Sequence, residues 1–354
     1  MAPQMKDVAH KAGVSVTTVS HVMNKTRFVT PQTRRRVLEV IRELSYHKDA
    51  HARRLARGSS DFFGLIVSDI ENPFFPEVVK SFESAALERG LDLLLSNTNY
   101  DPKRTEAAVH KMIENKVRGV AIMTSELPLA LAEELTANQV AVVFLDVGEV
   151  GPYASNIRVN YSTGIFQAIE HLHQLGHKAM AFISGPLTLR SAVTRREAFI
   201  SALQRRGLPS DHVLEGNHKV DGGIAAAGAL LKHQPLPTAI LCSNDLTAIG
   251  VMSALREAGL RVPEDISVVG FDDIALARLA YPPLTTVNLS RDRLGRLAFE
   301  ALHNILRTKK RTGAEYSVKT QLVVRDSTGL ARDPAAPVRF DHAQPAAETV
   351  LMER

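Results

Sequence analysis

The chain has 354 residues, 45% hydrophobic and 23% charged, which fits a soluble protein of two or three domains. No apolar run reaches the ~18 residues of a membrane span, and the lone cysteine, Cys242, excludes an intrachain disulfide. Charge is uneven: residues 1–60 hold 12 Lys and Arg against 4 Asp and Glu, while the whole chain is only +5, leaving −3 on residues 61–354. A basic module on a near-neutral body points to a polyanionic partner.

The start, MAPQMKDVAHKAG, lacks the apolar core of a signal peptide, so a cytoplasmic location is expected. A first helix is expected over Lys6–Ala12, stopped by Gly13. The next stretch, VSVTTVSHVMN (14–24), is rich in β-branched residues, and propensity alone favours a strand. A strand would divide its valines between two faces. A helix from Val16, capped by Ser15, gathers Val19, Val22 and Met23 on one face. Thr17, Thr18, Ser20, His21 and Asn24 then fall largely outside the apolar stripe. A third helix starts at Thr30 as cap with Pro31 next, and places Val37, Leu38, Ile41 and Leu44 at helical spacing. Two helices around a tight turn at Gly13 form a helix-turn-helix, whose second helix suits the DNA major groove. Residues 47–60, HKDAHARRLARGSS, are a basic connector with a solitary Leu55.

From Phe62 short apolar runs alternate with amphipathic segments: GLIVS, LDLLLS, GVAIM, AVVFLD, MAFIS, AILCS and SVVGFDD. Glycine closes the helical segments in ERG, QLG, QRRG and EAG. This is the punctuation of βαβ units, and it predicts parallel sheet covered by helices on both faces. Two doubly wound lobes with a cleft between them are expected. Cys242, inside TAILCS, reads as a small buried thiol. After Gly329 there is neither periodicity nor a leucine heptad. No GxGxxG, no GxxxxGK[ST] and no metal-ligand spacing of His or Cys is present, so no enzyme activity, cofactor or metal is expected.

KDVAHKAGVSVTTVSHVMN, the connector's ARRLA, RVPEDISVVGFDD and YPPLTTV together resemble the lactose-repressor family of bacterial transcription regulators, over about Lys6 to Thr328. The head, through TVSHVMNKTRFV, is most similar to the purine and ribose repressor branch, and the lobes are similar to periplasmic sugar-binding proteins. The resemblance implies an all-α helix-turn-helix head on an α/β, two-lobed, doubly wound, periplasmic-binding-protein-like body. The implied divisions are a head at 1–46, a hinge helix and linker at 47–61, an N-terminal lobe at 62–161 plus 290–318, a C-terminal lobe at 162–289 plus 319–330, and a tail at 331–354.

In the family the second helix reads bases with its first two residues and its sixth, here Val16, Thr17 and His21. Val16 suits a thymine methyl, and His21 can donate to guanine N7 or O6. Thr18, Ser20 and Asn24 suit phosphates, which position rather than specify, and the cap residue Ser15 is placed on the same DNA-binding surface. Lys25, Arg27, Arg34, Arg35 and Arg36 add sequence-independent attraction, and Arg53 in the connector is placed on the DNA-binding surface as well. Leu55 matches the leucine that family members wedge into the minor groove from a hinge helix. The chain departs from the family at His47-Lys48, where a proline often follows the tyrosine.

The resemblance assigns the effector cleft to Phe74, Phe75, Asp146, Arg195, His218, Asn244 and Asp272. Aromatics stack on a sugar ring there, and carboxylates, an amide and an arginine suit a polyhydroxylated neutral ligand. His218 stands where relatives carry a stacking aromatic, and Leu289 where sugar-responsive relatives often have glutamine. Plain core remains an alternative for Phe74 or Phe75, Asp245 reads as a helix cap, and Asp273 reads as structural. The implied function is a repressor that binds a pseudo-palindromic operator in double-stranded DNA as a homodimer, controlled by a sugar or derivative, with a purine as the alternative effector and no membrane partner. A periplasmic solute receptor conflicts with the basic head and the absent signal peptide.

Overall fold

The computed structural model describes residues 3–46, 60–124, 127–233 and 235–333. Its contacts divide the chain into two compact units, Met1–Ser60 and Asp61–Arg354. Of the expected hinge helix and linker at 47–61, residues 47–59 lie outside the described residues.

Among the described residues the first unit holds three helices, α1 (Met5–Ala12), α2 (Val16–Asn24) and α3 (Pro31–Glu43). Gly13 ends α1 in the left-handed region at φ 61°, which lets the chain reverse direction. The Ser15 hydroxyl accepts from the Thr18 N–H at 3.1 Å and caps α2. Thr30 caps α3 in the same way, with Pro31 as its first residue. The β-branched run is therefore helical: burying Val19 and Val22 against Val8, Ala12, Val37 and Val40 outweighs intrinsic strand preference. Leu38 departs from expectation, since it is 43% exposed. It lies about 100° around the helix from Val37, so the buried row is Val37 and Val40, with Ile41 and Leu44 partly buried beside it.

The second unit contains eleven strands among its described residues. They are β1 (Phe62–Val67), β2 (Asp92–Asn97), β3 (Gly119–Met123), β4 (Ala141–Leu145), β5 (Ala154–Asn160), β6 (Met180–Ser184), β7 (Val213–Glu215), β8 (Ala239–Cys242), β9 (Ser267–Asp272), β10 (Thr285–Leu289) and β11 (Glu315–Val323). Interleaved helices are α4 (Phe74–Leu87), α5 (Pro102–Glu114), α6 (Leu129–Ala137), α7 (Tyr161–Gln174), α8 (Arg190–Gln204), α9 (Val220–Leu230), α10 (Asp245–Glu257), α11 (Ala275–Leu279) and α12 (Arg291–Arg307). Strand order is β2-β1-β3-β4-β5-β11-β10-β9-β8-β6-β7.

Pairing is parallel throughout except between β10 and β11, a departure from the wholly parallel expectation. β11 changes partner along its length. Glu315–Lys319 pair with β5, whereas Thr320–Val323 pair with β10. One strand thus joins the set β1–β5 to the set β6–β10. Helices cover both faces: Leu65 packs in a cluster with Phe82 and Phe299, while its neighbour Ile66 faces Val109, Met112 and Leu135. The four punctuating glycines, Gly90, Gly176, Gly207 and Gly259, all have positive φ between 66° and 90° and end α4, α7, α8 and α10. Cys242 is 1% exposed, and burial pushes its thiol pKa up. Among the described residues no helix is long and apolar enough to cross a membrane.

Candidate effector pocket and DNA-binding surface

All seven residues assigned to the effector cleft line one pocket of about 590 Å³, part of it open to solvent. They reach it from carboxyl ends of strands and from the helices that follow, where crevices form in parallel sheets. Asp146 follows β4 at φ 66°, Asp272 ends β9 at φ 106°, and His218 precedes α9 at φ 63°. Phe74 and Phe75 open α4, with ring centroids 5.3 Å apart and edge to face. Both are at most 9% exposed, so they serve the core and the pocket wall together.

Arg195 is the buried cation of the pocket, 8% exposed. Its guanidinium carbon lies 4.3 Å from the Phe271 ring centroid and 4.8 Å from that of Tyr161. Nη1 donates to the Ser243 carbonyl at 2.6 Å, and Nη2 stands 3.8 Å from the Asp272 carboxylate. Nε has no hydrogen-bond partner among the described residues although it is buried. Burial lifts the Asp272 pKa to about 6, against the pull of Arg195 and Arg291. Burial also raises Asp146, which accepts from the Val159 N–H at 2.7 Å and the Tyr161 hydroxyl at 2.6 Å. Burial, reinforced by Arg195, lowers His218 to about 3, so its imidazole is neutral at ordinary pH. The ring packs against Gly185, where any β-carbon would collide with it.

Asn244 reaches the pocket, but its amide also serves the fold. Oδ1 accepts from the Thr247 N–H at 2.9 Å, and Nδ2 donates to the His218 carbonyl at 2.8 Å. Asn244 is therefore the cap of α10, and the expectation that Asp245 caps it is corrected. Asp245 is the first helical residue and accepts from the Ile274 N–H and the Thr286 hydroxyl inside the core. Asp273 is held by Asn288 and Arg325, the structural role expected of it. Leu289 lines the pocket.

Tyr161, Tyr100, Asn72, Leu189 and Ser191 also line it, beyond the residues that the sequence singles out. Tyr161 escapes sequence reading because β5, which it follows, reads ASNIRVN and shows no apolar run. A helix start at the carboxyl end of a recognised strand is the signal that would reveal it. No cluster of three or more His, Cys, Asp or Glu able to hold a metal occurs among the described residues.

On the head, Val16, Thr17, Asn24, Lys25 and Arg27 are exposed, while Thr18, Ser20 and His21 are partly buried. Ser15 and Thr18 share a hydrogen bond at 2.9 Å, and Asn24 donates to Ser20 at 3.1 Å. His21 Nδ1 lies 2.9 Å from the Thr26 hydroxyl. With Thr26 donating, the proton sits on Nε2, the tautomer that can donate to a guanine acceptor. Arg53 and Leu55 lie outside the described residues.

Residues 4–49 match the family described as bacterial regulatory proteins, lacI family, and residues 169–328 match the periplasmic binding protein-like domain. The HTH-type transcriptional repressor PurR of Pasteurella multocida (strain Pm70) is 38% identical over 327 residues, covering 91% of this chain and 98% of that protein. The PurR repressor of Vibrio vulnificus (strain CMCP6) is 37% identical with the same coverage. Among solved structures, the lac repressor dimer bound to operator and the anti-inducer ONPF aligns with TM-score 0.83 and 30% identity, over 93% of this chain and all of that one. A LacI family regulator from Enterococcus faecium with bound ribose aligns with TM-score 0.70 and 26% identity, over 77% of this chain and all of that one. With the helix-turn-helix head, the doubly wound body and relatives matched along nearly their whole length, the chain belongs to the lacI family of bacterial regulatory proteins.

Proposed function

We propose that this protein is a cytoplasmic, homodimeric transcriptional repressor whose DNA grip is set by an uncharged polyhydroxylated effector, a sugar or sugar derivative. One observation carries the effector class: buried Arg195 with the carboxylates of Asp146 and Asp272 in one pocket beside two phenylalanines. A hydroxyl donates to a carboxylate and accepts from a guanidinium, so neighbouring hydroxyls on one ring satisfy both. An anionic ligand would meet two carboxylates against one arginine. The similar regulator with bound ribose agrees with this reading. A purine is the second reading, favoured by the PurR relatives and by the aromatic wall.

In the mechanism, residues 62–161 with 290–318 and residues 162–289 with 319–330 move as two lobes about the crossings between them, one of which lies in β11. Closure over the effector resets the spacing of the two hinge segments in the dimer, and with it the fit of both heads to a pseudo-palindromic operator. Val16, Thr17 and His21 read bases, and Leu55 enters the minor groove. The ligand is bound and released unchanged.

A thermal-shift screen against pentoses, hexoses, sugar acids and purines tests the effector class. A ligand at about 100 times its dissociation constant adds roughly 2.7 kcal/mol, a visible shift. A shift with a neutral sugar, lost in Arg195→Ala, is the expected result. Silence from every sugar with a shift from a purine would replace the sugar by the purine.

A further inference from the structure

A second pocket opens between α6 and the connection from β4 to β5, with about 830 Å³ of space, part of it open to solvent. That volume suits a small molecule. Small residues create it: Ala132 on α6, Gly148 in the connection and Ala154 on β5 line it where larger side chains would close it. Gly148 has no room for more, since a β-carbon there would collide with the Phe144 ring. Phe144 and Val147 form an apolar wall, and Leu129, 71% exposed, stands at the rim. Two carboxylates, those of the exposed Glu133 and Glu149, also line the pocket, and among the described residues no Lys, Arg or His does. Asn156 adds an independent sign. It is fully buried, lies beside Phe144 in register, and shares the β5 face of Ala154. Neither polar atom of its amide has a hydrogen-bond partner among the described residues. Buried polar groups left unsatisfied by the fold are rare, and this one adjoins two residues of the pocket wall. The same connection also serves the effector pocket: Leu145 and Asp146 line that one, whereas Val147, Gly148 and Glu149 line this one.

We infer that this pocket is a second ligand site, separate from the effector pocket, which takes a small organic ammonium ion with an apolar body. The body displaces water from Phe144, Val147 and Leu129, and the ammonium group answers the carboxylates of Glu133 and Glu149. A neutral apolar ligand would leave both charges unanswered, and an anion would be repelled by them. The inference does not depend on which effector fills the first pocket.

The test uses three probes that share a phenyl ring and differ in charge. The full-length protein is titrated calorimetrically at neutral pH with phenethylamine, phenethyl alcohol and hydrocinnamate. The amine is expected to bind, the alcohol roughly tenfold more weakly and the carboxylate least, as two exposed carboxylates on the pocket wall require. Glu133→Gln and Glu149→Gln should each weaken the amine by about threefold to fivefold and leave the alcohol within about twofold. Ala132→Phe fills the pocket and should abolish binding of both amine and alcohol, with thermal unfolding showing that the fold is kept; if it is not kept, the two glutamine variants decide. No amine binding at millimolar concentration overturns the inference, as does equal affinity for the three probes. Amine affinity unchanged in both glutamine variants would place the amine elsewhere, on the carboxylates of the effector pocket for example, and overturns it too. If sedimentation shows the amine dissociating an oligomer, the pocket is an interface between copies of the chain, and the ligand site falls.

Discussion

Tyr161 governs the polar half of the pocket. Its hydroxyl donates to Asp146 at 2.6 Å while its ring faces the Arg195 guanidinium, so one side chain fixes an anion and a cation. Tyr161→Phe keeps the ring and removes the donor, leaving a buried carboxylate with one partner fewer. A stability loss of about 1–3 kcal/mol in urea unfolding is expected; an unchanged midpoint would show that the bond contributes nothing net. Asp272 gives a pH-dependent prediction. Its native pKa of about 6 lies above the ordinary carboxylate value of 3.8, so the folded state holds the proton more tightly than the unfolded chain. The resulting stabilisation is complete below the unfolded value and is lost as pH rises through the folded one. Asp272→Asn does not titrate, so its stability relative to wild type should rise across that window, by about 3 kcal/mol in all. A difference that stays flat with pH would contradict the buried, proton-binding carboxyl. Arg195, Asp146 and Asp272 are legible in the sequence through the family resemblance, which carries their positions over. Tyr161 is not, because its meaning depends on a strand whose sequence is polar.

Elements are read best where local chemistry decides them. Gly13 has a left-handed φ of 61°, and a β-carbon there would meet nothing within 4 Å. Gly13→Ala therefore tests backbone strain alone and should destabilise the head by about 1–2 kcal/mol, measured by amide exchange in α1 and α2. Ser15→Ala removes the cap of the recognition helix and should cost about 1 kcal/mol by the same measurement, with weaker operator binding alongside. Unchanged exchange in either variant would mean that tertiary packing alone holds this turn. The same local reasoning locates α2 against its strand propensity, because apolar spacing reports the buried face and propensity does not. It fails for β5 and β11. These strands carry polar residues along much of their length, and only their place beside buried partners makes them strands.

At the scale of the molecule, the proposed dimer would supply what one chain lacks. Two heads, each with a short reading helix, need two half-sites in fixed register. If paired Leu55 side chains kink the operator centre, Leu55→Ala should weaken operator binding far more than non-specific binding, compared by competition at one salt concentration. Equal losses on both DNAs would remove the wedge from the mechanism. Sequence by itself determined the helix-turn-helix, the βα alternation and the location of the glycine stops, because each depends on neighbours a few positions apart, whereas the pocket residues were implied by the resemblance to the family. Only the tertiary structure decided that β11 changes partner between two strand sets, that Asn244 rather than Asp245 caps α10, and which rings flank Arg195. These depend on groups brought together from distant parts of the chain, whose burial sets the protonation of Asp272 and His218 and leaves no trace in local spacing.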